Sequence, residues 1–190
     1  MIVDEHIIWH ERALKHFPPY GDICMLGNQE NRASFSFNRK IVSIDPDGGD
    51  FKIDLSDPEV FVSCPEIYRK FFIVYNLGTI EHIWDIHTAY INALELCNIG
   101  GMFVNIVPVS GYTLHGMHVT NHKYIKIFFT KNGYNILDTF YTSKEGKLCE
   151  EPKRWCADNI LQWIVAKKYK LIESYIRPQE IFIGGKRVEI

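Results

Sequence analysis

The sequence predicts an α/β three-layer sandwich whose mostly parallel sheet ends in an antiparallel hairpin. Three observations carry this expectation. Short apolar runs alternate with amphipathic helical stretches along most of the chain, which implies βαβ units. The last two runs, residues 134–141 and 160–165, have no helix between them and pair best as an antiparallel hairpin at one edge. The 190 residues, 46% hydrophobic and 23% charged, suit one domain, 1–190, large enough to bury its own core.

The elements follow in order. Residues 4–17 read as an amphipathic helix, with Ile7, Ile8, Leu14 and Phe17 near helical spacing and Pro18-Pro19 ending it. Residues 23–26 are a short buried-type strand closed by Gly27, and residues 29–37 suit a helix. Residues 41–44 form a second strand, ended by Asp45-Pro46, and the alternation over 51–55 suggests a third. Residues 65–70 are a short helix or turn. Residues 71–75 are the most strand-like run, followed by Asn76-Leu77-Gly78-Thr79. Residues 84–97 carry a broad apolar helical face, capped by Gly100-Gly101, and residues 102–107 form the next strand. Residues 121–132 suit a helix. Two segments, 45–50 and 143–153, are exposed loops by their turn and charged residues.

Composition excludes several classes. Aromatic residues at 14% argue against disorder. A net charge of −2 lacks the cationic surface that nucleic acid demands, so no nucleic-acid partner is expected. Apolar runs fall far short of the ~20 residues of a membrane span, so no membrane partner is expected. The start, Met1 to His6, has no basic region and no long apolar stretch, which points to a cytoplasmic protein without a secretory leader. The five cysteines (Cys24, Cys64, Cys97, Cys149, Cys156) are odd in number and show no C-x-x-C pair, so reduced and mostly buried thiols are expected.

In an open parallel sheet the ligand lies beyond the carboxyl ends of the strands. The residues there are Gly27-Asn28-Gln29, Asp45, Asp54-Leu55, Asn76 to His82, and Pro108 to His118. Gly27 permits a tight turn and a close approach of backbone to ligand. Asp45 comes 18 positions after Gly27, near the ~20-residue spacing at which an acid meets ribose hydroxyls. It is also well placed to open a turn before Pro46. His115, His118 and His122 are spaced H-x2-H-x3-H, but no cysteine lies among them and the three rings need not converge. No metal site is expected.

In this order of elements the chain resembles the class I, Rossmann-like methyltransferases that use S-adenosylmethionine. The resemblance covers residues 21–141. It rests on Asp22-Ile23-Cys24-Met25-Leu26-Gly27, Ile44-Asp45, Ile53-Asp54-Leu55 and Tyr75-Asn76-Leu77-Gly78-Thr79-Ile80-Glu81-His82-Ile83. Asn98-Ile99-Gly100-Gly101 and the strand 102–107 complete it. It implies a seven-stranded sheet, S-adenosylmethionine as cofactor, and methyl transfer to an oxygen or nitrogen of a small polar acceptor. The His115-Gly116 pair and the aromatic stripe Tyr124, Phe128, Phe129 resemble a small-molecule and sugar-modifying branch, so a sugar or nucleotide-sugar is one acceptor class.

The resemblance also implies roles. Gly27, with Asn28 and Gln29, would lie along the methionine part of the cofactor. Asp45 would hold the ribose. Asp54 would face the adenine amino group, with the Leu55 N–H on a ring nitrogen. Asn76 and Leu77 would border the sulfonium. A hydroxyl acceptor gains from a base near neutral pKa, which favours His115 first and His82 second. Glu81, Tyr112 and His118 are candidate acceptor contacts. Met25 stands where the family usually carries an acidic residue, and the later glycines of the first loop are absent. A catalytically degenerate binding protein of the same fold is therefore one alternative, and an RNA or protein methyltransferase another. A nicotinamide-dependent oxidoreductase would need the glycine-rich turn that is missing. A seven-stranded core uses nearly all 190 residues, which favours a small acceptor or a pocket completed by a second subunit. Phe35, Phe37, Phe61 and Trp155 would line such a homodimer contact or fill the core.

Overall fold

The computed structural model describes residues 7–27, 39–112, 115–153 and 157–176, together with the backbone of two short strands at 182–183 and 186–187. Residues 4–6 of the first predicted helix, the whole predicted helix at 29–37, and Asn28, Gln29, Phe35, Phe37, Trp155 and Cys156 lie outside the described residues.

The elements are α1 (Ile7–Leu14), β1 (Ile23–Leu26), β2 (Ile41–Ile44), α2 (Val60–Ser63), β3 (Phe71–Leu77), α3 (Ile86–Leu96) and β4 (Cys97–Ser110). They continue with α4 (His122–Lys131), β5 (Tyr134–Ser143), β6 (Leu148–Cys149), β7 (Ile160–Lys168), β8 (Phe182–Ile183) and β9 (Lys186–Arg187). Seven strands form one sheet in the order β2-β1-β3-β4-β7-β5-β6, and β8 and β9 pair separately. The first four are mutually parallel. β7 inserts between β4 and β5, antiparallel to both. The expected C-terminal hairpin is therefore present, and its second strand is the one that joins the parallel half.

Side-chain alternation along the strands builds a core on each face. Cys24, Leu26, Val74 and Phe103 pack with Ala89, Tyr90 and Ala93 of α3 and with Ile125, Phe128 and Phe129 of α4. On the other face Ile23, Ile73, Tyr75, Val104 and Trp163 pack with Ala13 and Trp9 of α1. Helices on both faces complete the three layers. A bidentate Arg12–Asp138 pair, at 2.7 and 2.8 Å, ties α1 to β5.

One predicted strand does not form. Residues 51–55 contribute only a single bridge, Ile44 to Phe51. Their alternation is genuine, since Ile53 and Leu55 are buried while Lys52 and Asp54 are exposed. The Asp54 carboxylate, however, accepts from the N–H and hydroxyl of Ser56, at 2.8 and 2.7 Å, and that turn ends the extension. The seventh strand of the sheet is instead β6, at the opposite edge. Helix α3 also starts later than predicted. Asp85 accepts from the N–H and hydroxyl of Thr88, capping α3 and leaving Trp84 outside it, 82% exposed. The four described cysteines are free, with Cys24 and Cys97 buried.

Candidate functional site

The strand order reverses between β1 and β3, so the crevice beyond their carboxyl ends is the expected ligand position. Gly27 closes β1 with φ +83°, and its N–H donates to Ile44 O of β2 at 2.8 Å. A Cβ at Gly27 would lie 2.6 Å from Thr79 Oγ1, the hydroxyl that donates to Leu26 O at 2.8 Å. Glycine is thus required here by conformation and by space.

Asp45 follows β2 directly and is half-buried. One carboxylate oxygen accepts from the N–H groups of Asp47 and Gly48 at 2.9 and 3.2 Å. The turn role foreseen for Asp45 is therefore present. Asp54 sits in its own exposed turn, and Leu55 is buried with its carbonyl accepting from Asn92 at 2.9 Å.

Asn76 is fully buried at the end of β3. Its Oδ1 accepts from the N–H groups of Thr79 and Ile80 (3.1 and 3.2 Å), and its amide donates to Asn105 Oδ1 at 2.8 Å. Its side chain shapes the turn at 78–80 and joins β3 to β4, which are in register at Asn76 and Asn105. Leu77 is half-buried beside it.

The acceptor-side candidates converge. Glu81 and His82 lie on the 3-10 turn Ile80–His82, and His115 lies in the loop after β4. One ligating atom of each of Glu81, His82 and His115 lies within 4.8 Å of the others. The two imidazoles meet edge to face at 5.0 Å between centroids, and the Tyr112 ring lies 5.5 Å from His115. The loop is stitched down by backbone. Glu81 O accepts from the N–H groups of Met117 and His118 at 2.9 and 3.1 Å. Tyr112, at φ +49°, donates its N–H to Asn159 Oδ1 at 2.6 Å and accepts at its carbonyl from the His115 N–H at 3.0 Å. Gly116 (φ +71°) presses on the turn, since a Cβ there would stand 3.2 Å from Glu81 Cγ.

Burial sets the electrostatics. Glu81 is 1% exposed, and desolvation pushes its carboxyl up to about 7, against the opposing effect of its own backbone N–H. Its Oε2 accepts no hydrogen bond. Partial desolvation, followed by the nearby His115, lowers His82 below the usual imidazole value.

The H-x2-H-x3-H histidines do not gather. His118 Nε2 lies 3.3 Å from Trp84 O. His122 opens α4, where its Nε2 is 3.5 Å from Glu151 and its carbonyl accepts from Gln162 at 3.0 Å. Sequence reasoning gave no role to the Thr79 hydroxyl, to Asn105 or to exposed Trp84. A hydroxyl at a strand end carries no signal until its partner across the sheet is known.

No family model and no curated protein matches the chain. Solved structures do. A candidate methyltransferase from Bacillus halodurans superposes with a TM-score of 0.60 at 9% identity, over 88% of this chain and 99% of that one. The 1,6-didemethyltoxoflavin-N1-methyltransferase of Burkholderia thailandensis, with S-adenosylhomocysteine bound, superposes at 0.58 and 11% identity, over 87% and 77%. A SAM-dependent methyltransferase from Anabaena variabilis gives 0.58 and 15%, over 85% and 83%. The fold of this chain is that of the class I S-adenosylmethionine-dependent methyltransferases.

Proposed function

We propose that this chain transfers a methyl group from S-adenosylmethionine to an oxygen or nitrogen of a small polar acceptor. The observation that carries this reading is the pairing of a Cβ-free crevice at Gly27 with the Asp45 carboxylate on the adjacent strand end, beside the Glu81–His82–His115 cluster. The cradle suits a nucleoside cofactor. Gly27 would lie along its amino-acid arm, and a carboxylate at Asp45 suits vicinal ribose hydroxyls. When bound, the cofactor supplies a methyl group on a sulfonium, displaced in line by the acceptor.

The chain's own residues then have three tasks. Gly27, Thr79 and Asn76 fix the shape of the crevice floor. Asp45 orients the cofactor. His115 and His82 would face the acceptor, and an imidazole there can take a proton from a hydroxyl. The small-molecule acceptor of the Burkholderia thailandensis enzyme supports a small acceptor here. A sugar or nucleotide-sugar fits the resemblance of the His115-Gly116 loop. Among the described residues no helix is long and apolar enough to cross a membrane.

A degenerate binding protein is the second reading. Met25 is fully buried within β1, so that position offers no charge to a cofactor's amino group. Calorimetric titration with S-adenosylhomocysteine decides between presence and absence of a cofactor site. Binding is expected, and Asp45→Ala should weaken it by about tenfold or more, the loss of a charge-assisted pair. Unchanged affinity in that variant would remove Asp45 from the site, and no binding by the unaltered chain would remove the methyltransferase reading.

A further inference from the structure

We propose that Glu81, His82 and His115 bind one divalent transition-metal ion of the zinc type. The site goes beyond methyl transfer and stands on three independent observations. The first is convergence, with one carboxylate oxygen and two imidazole nitrogens mutually within 4.8 Å. The second is the state of Glu81. It is 1% exposed, yet its Oε2 accepts no hydrogen bond. A buried carboxylate without a partner costs several kcal/mol, and a cation at the oxygen removes that penalty.

The third is preorganisation. Two segments remote in the chain are held together by more than the donors: the Glu81 carbonyl accepts from the N–H groups of Met117 and His118, His118 Nε2 lies 3.3 Å from Trp84 O, and Gly116 leaves room for the loop to press on the turn.

Donor chemistry selects the ion. Two imidazoles and one carboxylate suit zinc and its neighbours, whereas magnesium and calcium prefer all-oxygen shells. Ligand–metal distances of ~2.0–2.1 Å place donors about 3.4 Å apart in a tetrahedral site. The donors stand within 4.8 Å of one another, and His82 and His115, which would have to close on that spacing, are both exposed. Three protein ligands leave a fourth position for water or an acceptor oxygen, and an ion there lowers the pKa of whichever oxygen it holds.

The test is titration of the full chain, stripped with a chelator, with zinc chloride, manganese chloride and magnesium chloride in separate runs. One zinc per chain is expected, with weaker manganese binding and no magnesium binding. Glu81→Gln, His82→Ala and His115→Ala should each weaken zinc by at least about tenfold. His16→Ala, beside Asp138, should leave zinc affinity unchanged. Cobalt substitution should give visible bands of nitrogen and oxygen ligation without a thiolate charge-transfer band. Circular dichroism checks each variant, and the two exposed histidines keep the test valid if Glu81→Gln fails to fold. Absent zinc binding, binding that survives both histidine variants, or a thiolate band overturns the proposal. S-Adenosylhomocysteine affinity is read in the same samples. If zinc fails while that ligand binds, only the metal site falls. If zinc binds and that ligand does not, only the methyltransferase reading falls.

Discussion

Replacing Gly27 by alanine tests how the crevice floor is built. Two costs are expected. Gly27 has φ +83°, where an L-residue pays about 1–2 kcal/mol. The new Cβ would also stand 2.6 Å from Thr79 Oγ1, which cannot remain on Leu26 O. Displacing it loses a hydrogen bond worth about 1 kcal/mol. Gly27→Ala should therefore destabilise by about 2–3 kcal/mol, and Thr79→Ala by about 1 kcal/mol. The two share one hydrogen bond, so the double variant should cost no more than Gly27→Ala alone. A coupling of about 1 kcal/mol results, within the range for residues in contact. Urea unfolding followed by circular dichroism measures all four corners of the cycle. Strict additivity, or a Gly27→Ala cost below about 0.5 kcal/mol, would refute the argument that this position is closed by both conformation and Thr79.

Other outcomes are expected. Burial would raise the Glu95 carboxyl, but hydrogen bonds from Arg69 and Tyr175 and the Lys168 charge outweigh it and hold it below its ordinary value near 4.5. Its contribution to stability is then full above pH 4.5 and is lost as pH falls through the lowered value. The stability difference between the unaltered chain and Glu95→Gln should shrink with acidification below that point, as read by urea midpoints. Lys168 is fully buried and donates to Leu94 O and Cys97 O at 2.9 and 3.0 Å, with Glu95 3.7 Å away. Lys168→Met should cost about 3 kcal/mol in thermal or urea unfolding, because it strands those acceptors. His115→Ala should slow methyl transfer by about 100-fold in a labelled-cofactor screen of hydroxyl acceptors while S-adenosylhomocysteine affinity holds.

Much of the fold was legible because its signals are local. β1 and β2 appear where their apolar runs stand, and the hairpin of β5 and β7 follows from the missing helix between two runs. The predicted strand at 51–55 shows the limit. Alternation reports which side chains are buried, not whether the backbone has a neighbour to pair with. Here Asp54 turned the chain before a ladder formed.

The candidate site was legible only as a list of strand ends. The residue types around Glu81, His82 and His115 were visible, but the one histidine spacing the sequence offered, His115 with His118 and His122, was not expected to converge and does not. Spacing speaks only for neighbours on one element, and these three lie on a loop and a helix start that diverge. The succession of elements along the chain, the glycine closing β1 and the acid after β2 were set by local patterning, which every short stretch of chain carries, whereas the order β2-β1-β3-β4-β7-β5-β6 within the sheet was decided by long-range pairing. Bringing Glu81 against His115 took two backbone hydrogen bonds between segments remote in the chain, and a buried carboxyl with an unused oxygen exists only once the sheet, the loop and the turn close around it.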